Sequence, residues 1–69
     1  MIDVKNLPVA EDTEEIGPGI FWELDEEHLL GVLGENTYQV IHCYYNGYRM
    51  EYTQRMSGSL SEVQKWMSK

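Results

Sequence analysis

The stretch that decides the fold is TYQVIHCYYNGYRMEYTQRM, residues 37–56. Its two runs, Thr37 to Tyr45 and Tyr48 to Met56, are rich in the aromatic and β-branched residues that suit a pleated, half-buried surface. Between them stands Asn46-Gly47, a pair that tolerates the positive φ angles of a type I′ turn. A two-residue loop sets the register. Tyr45 then faces Tyr48, Tyr44 faces Arg49, Cys43 faces Met50 and His42 faces Glu51, continuing to Tyr38 opposite Arg55. Facing residues share a side of a sheet. One side therefore carries Tyr45, Tyr48, Cys43, Met50, Ile41 and Tyr52, and is expected to be the core face. The other carries Tyr44, Arg49, His42, Glu51, Val40, Thr53, Tyr38 and Arg55, and is expected to face water.

The chain beyond the hairpin reads as a helix. Ser59-Leu60-Ser61-Glu62 fits a capping box, in which Ser59 and Glu62 satisfy each other's free amides. Leu60, Val63, Trp66 and Met67 follow at helical spacing, a stripe expected to pack on Tyr45, Cys43, Met50, Ile41 and Tyr52. Thr37 to Met67 resembles, in its hairpin followed by a helix, the small three-stranded DNA-binding domains at the start of many phage-type integrases. The likeness rests on Tyr-Tyr-Asn-Gly-Tyr-Arg and on the closing Ser-Leu-Ser-Glu-Val-Gln-Lys-Trp-Met. It implies a similar order of elements. The chain departs from that family in lacking a basic sheet, so the likeness does not carry the family's activity with it.

Upstream of the hairpin, Gly19 to Leu24 reads as a strand, with Phe21 and Trp22 pointing to opposite sides. Asp25 then suits a helix N-cap, Glu26 and Glu27 suit the positive end of a helix dipole, and Gly34 suits a C-terminal stop. These signals predict a short helix over residues 26–33. A competing strand over His28 to Leu33 would close on residues 37–45 through Gly34-Glu35-Asn36 and make a four-stranded meander. Gly31 favours it, since glycine inside a helix is unfavourable by about 1 kcal/mol relative to alanine. At the start of the chain, Ile2 and Val4 alternate with Asp3, which predicts a short edge strand over residues 2–5. Residues 1–17 form an acidic, partly flexible segment in this scheme, and residues 18–69 a single α+β domain. That domain is a small antiparallel sheet of about three strands with a C-terminal helix and the short helix near residues 26–33.

At 69 residues with a single cysteine, Cys43, the chain can form no internal disulfide and must be held by packing alone or by a partner. Cys43 falls on the expected core face and reads as a buried, inert thiol. No basic start followed by an apolar run suggests export, no stretch has membrane-spanning length, and a cytoplasmic location is expected.

The net charge of −7 is lopsided. Residues 1–36 hold ten acids against Lys5, while residues 37–69 hold four basic residues against Glu51 and Glu62. Such a surface can simply be solvated. It can also meet a basic protein, and then the residues expected to carry contact are Glu23, Asp25, Glu26, Glu27 and Glu35, supported by Glu11, Asp12, Glu14 and Glu15. A phage-type inhibitor that mimics DNA charge would have this size and sign. Tyr38, Tyr44, Arg49 and Arg55 form a second candidate contact set, because Tyr and Arg recur at binding hot spots and can also stack on bases. Direct nucleic-acid binding through them is opposed by the overall charge. A homo-oligomeric subunit is a third expectation, given a thin core and surplus aromatics.

No catalytic residue, metal or cofactor is expected. His42 beside Glu51 reads as an ordinary cross-strand polar pair, with no nucleophile or oxyanion donor to accompany it. Asp25-Glu26-Glu27-His28 reads as a capped helix start rather than a metal cluster.

Overall fold

The computed structural model describes residues 2–68. It is an α+β fold: a four-stranded antiparallel meander followed by one helix. The strands are β1 (Phe21–Glu23), β2 (His28–Gly34), β3 (Thr37–Tyr45) and β4 (Met50–Gly58), and the helix is α1 (Leu60–Met67).

The predicted helix over residues 26–33 is replaced by β2, the competing strand. The cap on which the helix rested is nonetheless present. Asp25 Oδ1 accepts from the amides of Glu27 and His28 at 2.7 and 2.8 Å. The Leu24 amide donates to the His28 carbonyl at 2.9 Å and closes the loop. An aspartate cap satisfies amides two and three residues on, whether a helix or a hairpin comes next. Gly31 decides between them, because the Phe21 ring lies across it: a Cβ there would stand 2.6 Å from a ring carbon. Gly34 is no left-handed helix stop; the positive φ of the β2–β3 turn belongs to Asn36, at 54°.

The β3–β4 hairpin forms, but its loop has four residues rather than two. The Asn46 side chain accepts from the amides of Tyr48 and Arg49 at 2.9 and 3.1 Å, and only Gly47 of the Asn-Gly pair has positive φ, 103°. Tyr45 therefore pairs with Met50, Tyr44 with Glu51, Cys43 with Tyr52 and His42 with Thr53. A shift of two residues leaves each side chain on its expected side, because the strand period is two. An irregularity next to Arg55 then changes sides: Ile41 pairs with Gln54, but Val40 pairs with Met56. That β-bulge puts Met56 on the same side as Val40.

This redirects the helix. α1 packs on the face carrying Leu30, Val40, Tyr38 and Met56, not on Tyr45, Cys43, Met50, Ile41 and Tyr52. Leu30, Val40 and Val63 are fully buried at its centre, flanked by Trp22, Leu60, Trp66 and Met67. The face expected to be open is thus the main core. The capping box at Ser59 is as the sequence predicts: the Glu62 amide donates to Ser59 Oγ at 3.3 Å, and the Ser59 amide donates to Glu62 Oε1 at 3.2 Å. Gly58, at φ 156°, lets the Glu62 carboxylate approach to 2.9 Å of where a Cβ would be.

The predicted edge strand over residues 2–5 is instead a 3-10 turn, Val4–Asn6, capped by Asp3. The turn brings Ile2, Val4 and Leu7 together onto the helix-side core. Next, Val9 bridges Trp22, the Ala10 amide donates to the Phe21 carbonyl at 2.8 Å, and the Glu23 amide donates to the Pro8 carbonyl at 2.8 Å. The segment so flanks β1 through a single β-bridge, with Pro8 offering only its carbonyl. Residues 11–17 then reach the second face of the sheet, where Phe21 and Ile41 are buried and Ile16 lies beside Ile41 and Tyr52. Phe21 and Trp22 point to opposite sides, as expected, and both sides are covered.

Candidate functional site: the acidic end of the sheet

The β1–β2 loop, residues 24–27, lies at one end of the meander and carries three consecutive acids, Asp25, Glu26 and Glu27. Tight turning keeps their side chains at the surface. Asp25 is fixed most firmly. Burial by itself would push its carboxyl up, but the Glu27 and His28 amides and the His28 ring outweigh it and hold it below its ordinary value.

On the helix side, His28 and His42 stand directly opposite each other on β2 and β3. Their rings stack with centroids 4.9 Å apart. Trp66 of α1 meets His28 edge-on at 5.7 Å, and Tyr44 stacks on His42 at 5.4 Å. The result is a row of four rings, Trp66, His28, His42 and Tyr44, across the end of the sheet. His28 Nδ1 contacts Asp25 at 2.9 Å, and His42 Nε2 lies 3.9 Å from a Glu27 oxygen. A carboxylate on Nδ1 orients the ring. The expected His42–Glu51 neighbours are not brought together. The four-residue loop sets Thr53 opposite His42, and Glu51 instead accepts from Asn46 at 2.7 Å and Arg49 at 3.4 Å.

On the opposite side is a cleft of about 180 Å³. Its rim carries Glu23 from the end of β1 and Asp25, Glu26 and Glu27 from the loop, together with Glu11 and Asp12 from the N-terminal segment. Its floor includes Leu29, Cys43 and Tyr52. The Cys43 thiol is half-buried, and burial pushes its pKa up, so it stays protonated at neutral pH. The Tyr52 hydroxyl is pushed up by burial and then by the negative charge of Glu15, Cys43 and Asp12. Among the described residues, the carboxylates of the rim that contact a cationic or titratable nitrogen are Asp25 and Glu27, and both contact histidine.

The acids singled out from the sequence therefore divide. Glu23, Asp25, Glu26 and Glu27 lie together, joined by Glu11 and Asp12, while Glu35 sits in the β2–β3 turn at the other end of the sheet. The second set divides further. Tyr38 is half-buried against the core, Tyr44 joins the ring row, Arg49 is in the hairpin loop and Arg55 is at the bulge. Sequence reasoning missed His28 as the partner of Asp25 and His42. Its spacing from Asp25 was visible, and the strand that sets it opposite His42 was the alternative to the helix expected over residues 26–33.

Among the described residues, no three His, Cys, Asp or Glu side chains converge as a metal-binding group would, and no helix is long and apolar enough to cross a membrane. No protein-family model, curated protein or solved structure matches the chain.

Proposed function

We propose that this chain is a protein-binding module that engages a basic partner through the carboxylates at the end of its sheet. One observation carries the proposal. Two stretches far apart in sequence, Glu11-Asp12 and Glu23 to Glu27, converge on the rim of one cleft with no lysine or arginine among the residues lining it. Convergence of like charge opposes folding unless something compensates, and a basic partner does so when bound. The partly apolar floor suits the stem of a lysine or arginine side chain, whose charged head would reach the rim. In its finer form, the carboxylates stand in for nucleic-acid phosphates, and the partner is a protein with a basic nucleic-acid-binding surface. Small size and a net charge of −7 support that form.

A lysine- and arginine-rich peptide, titrated into isotopically labelled protein and followed by NMR, tests it. Amides of residues 11–12 and 23–27 should shift at low salt, and the shifts should collapse at high salt, because exposed charges are screened over about 8 Å at 0.15 M. The triple substitution Glu23→Gln, Glu26→Gln, Glu27→Gln should weaken binding at least tenfold. Shifts centred elsewhere, or binding indifferent to salt, would refute the proposal.

A further inference from the structure

Two carboxylates of the cleft rim serve a second feature. Asp25 and Glu27 line the cleft on one side of the sheet and reach the histidines on the other. His28 Nδ1 stands 2.9 Å from Asp25, and His42 Nε2 stands 3.9 Å from Glu27. The two rings stack with centroids 4.9 Å apart. Their side chains are 20% and 25% exposed, so solvent protons reach both. Among the described residues, no lysine or arginine contacts Asp25 or Glu27. The histidines are thus the neighbours whose charge can change beside these carboxylates.

The other elements around the pair bring few competing charges. α1 meets it through Trp66, which does not titrate. Of the charged residues of α1, Glu62 is bonded into the Ser59 cap and Lys65 is exposed. On β3, Tyr44 stacks on His42. β4 sets Thr53 opposite His42. Two residues along β4, Glu51 is engaged by Asn46 and Arg49; two residues the other way, Arg55 is exposed at the bulge. On β1, Glu23 pairs with Leu29 rather than with either histidine.

We propose that His28 and His42 form a proton-operated control on the acidic end of the sheet: each ring, on taking up a proton, offsets the carboxylate beside it, and the end loses its hold on a basic partner. This rests on the basic-partner reading above. Histidine is the side chain that ordinarily gains its charge between pH 8 and 5. Two positive rings so close oppose each other, and a carboxylate beside each offsets that repulsion. The rim of the cleft carries six carboxylates, so two protons cut its net charge by a third. In water, unit charges about 8 Å apart alter affinity by a factor of roughly two to three. Two protons acting on one partner charge therefore weaken binding about fivefold, and acting on several charges, more. The coupling is reciprocal: a bound basic partner opposes protonation of the pair as strongly as protonation opposes binding.

The probe is a short peptide of lysine, arginine and glycine with blocked ends, whose own charge is constant over this range. Its affinity, measured by calorimetry at low salt, should fall at least about fivefold from about pH 7.5 to about pH 5.5. In the double variant His28→Gln, His42→Gln, which keeps polar side chains but takes up no proton there, the fall should shrink below about twofold. Circular dichroism verifies the fold at both pH values. For wild-type protein, NMR of the histidine ring protons should show both titration midpoints moving to lower pH with peptide bound, a readout that needs no variant. Affinity that stays level with pH overturns the inference. So does a fall of equal size in the double variant, which would assign the titration to the rim carboxylates themselves, and so do midpoints that ignore the peptide. A peptide that fails to bind at about pH 7.5 overturns the basic-partner reading and this inference together, whereas binding that is level with pH overturns this inference alone.

Discussion

The Phe21 ring lies across Gly31, close enough that a methyl group there would stand 2.6 Å from a ring carbon. This contact separates the two structures that the sequence allows for residues 26–33. In a helix, Gly31→Ala would stabilise by up to about 1 kcal/mol. In the β1–β2 pair it forces the ring or the backbone aside and should destabilise by about 1–3 kcal/mol. Urea unfolding of the variant gives the sign directly.

The core is thin enough for one side chain to matter. A chain of this size is stable by roughly 3–10 kcal/mol, taking 0.05–0.15 kcal/mol per residue. Leu30, fully buried between the sheet and α1, should lose about 2–5 kcal/mol as Leu30→Ala and leave a population of unfolded chain at room temperature. Leu33→Ala, at a half-exposed position further along the same strand, should change monomer stability by less than about 1 kcal/mol. Equal losses from the two variants, measured in dilute solution, would contradict the burial pattern.

Asp25 ties stability to acid pH. Its folded carboxyl lies below its ordinary value of 3.8, so folding favours the ionised form. The resulting stabilisation is complete above that ordinary value and fades as pH falls through the lower, folded one. Asp25→Ala should therefore lower the melting temperature at neutral pH, with the gap to wild type closing below about pH 4. A gap that stays constant down to strongly acid pH would show that the loss is not linked to ionisation.

Cys43 should be a slow nucleophile. It is half-buried, and burial raises its pKa, so little thiolate is present near neutrality. Alkylation by iodoacetamide should run well below the rate of an unstructured cysteine peptide and accelerate when urea unfolds the chain. Native protein that reacts as fast as the peptide would place the thiol in solvent.

The β1–β2 loop shows why part of the site is legible in the sequence and part is not. Asp25 is recognisable as a capping residue, because its bonds run to amides two and three positions away and need nothing else. Whether a helix or a strand continues from that cap is settled by Phe21, which reaches Gly31 only after the chain has doubled back. The acidic cluster is half visible for a similar reason. Glu23 to Glu27 are close in the chain, but Glu11 and Asp12 join them only because residues 8–10 flank β1. Glu35, though near them in sequence, is carried to the far turn by the length of β2.

Short-range bonds account for the features that could be read from the chain alone. These are a β3–β4 hairpin at Asn46-Gly47 and a helix begun by the Ser59–Glu62 capping box, beside a strong excess of acid in the first half. Long-range packing settled whether residues 28–34 would be strand or helix, which face of the hairpin would receive α1, and which carboxylates would meet. Each of these turns on one residue of register or one contact between distant positions. The bulge at Arg55 moves Met56 to the side of Val40, and the ring of Phe21 fills the space that a side chain at residue 31 would occupy. Such contacts form only when the whole chain packs, so no local pattern records them.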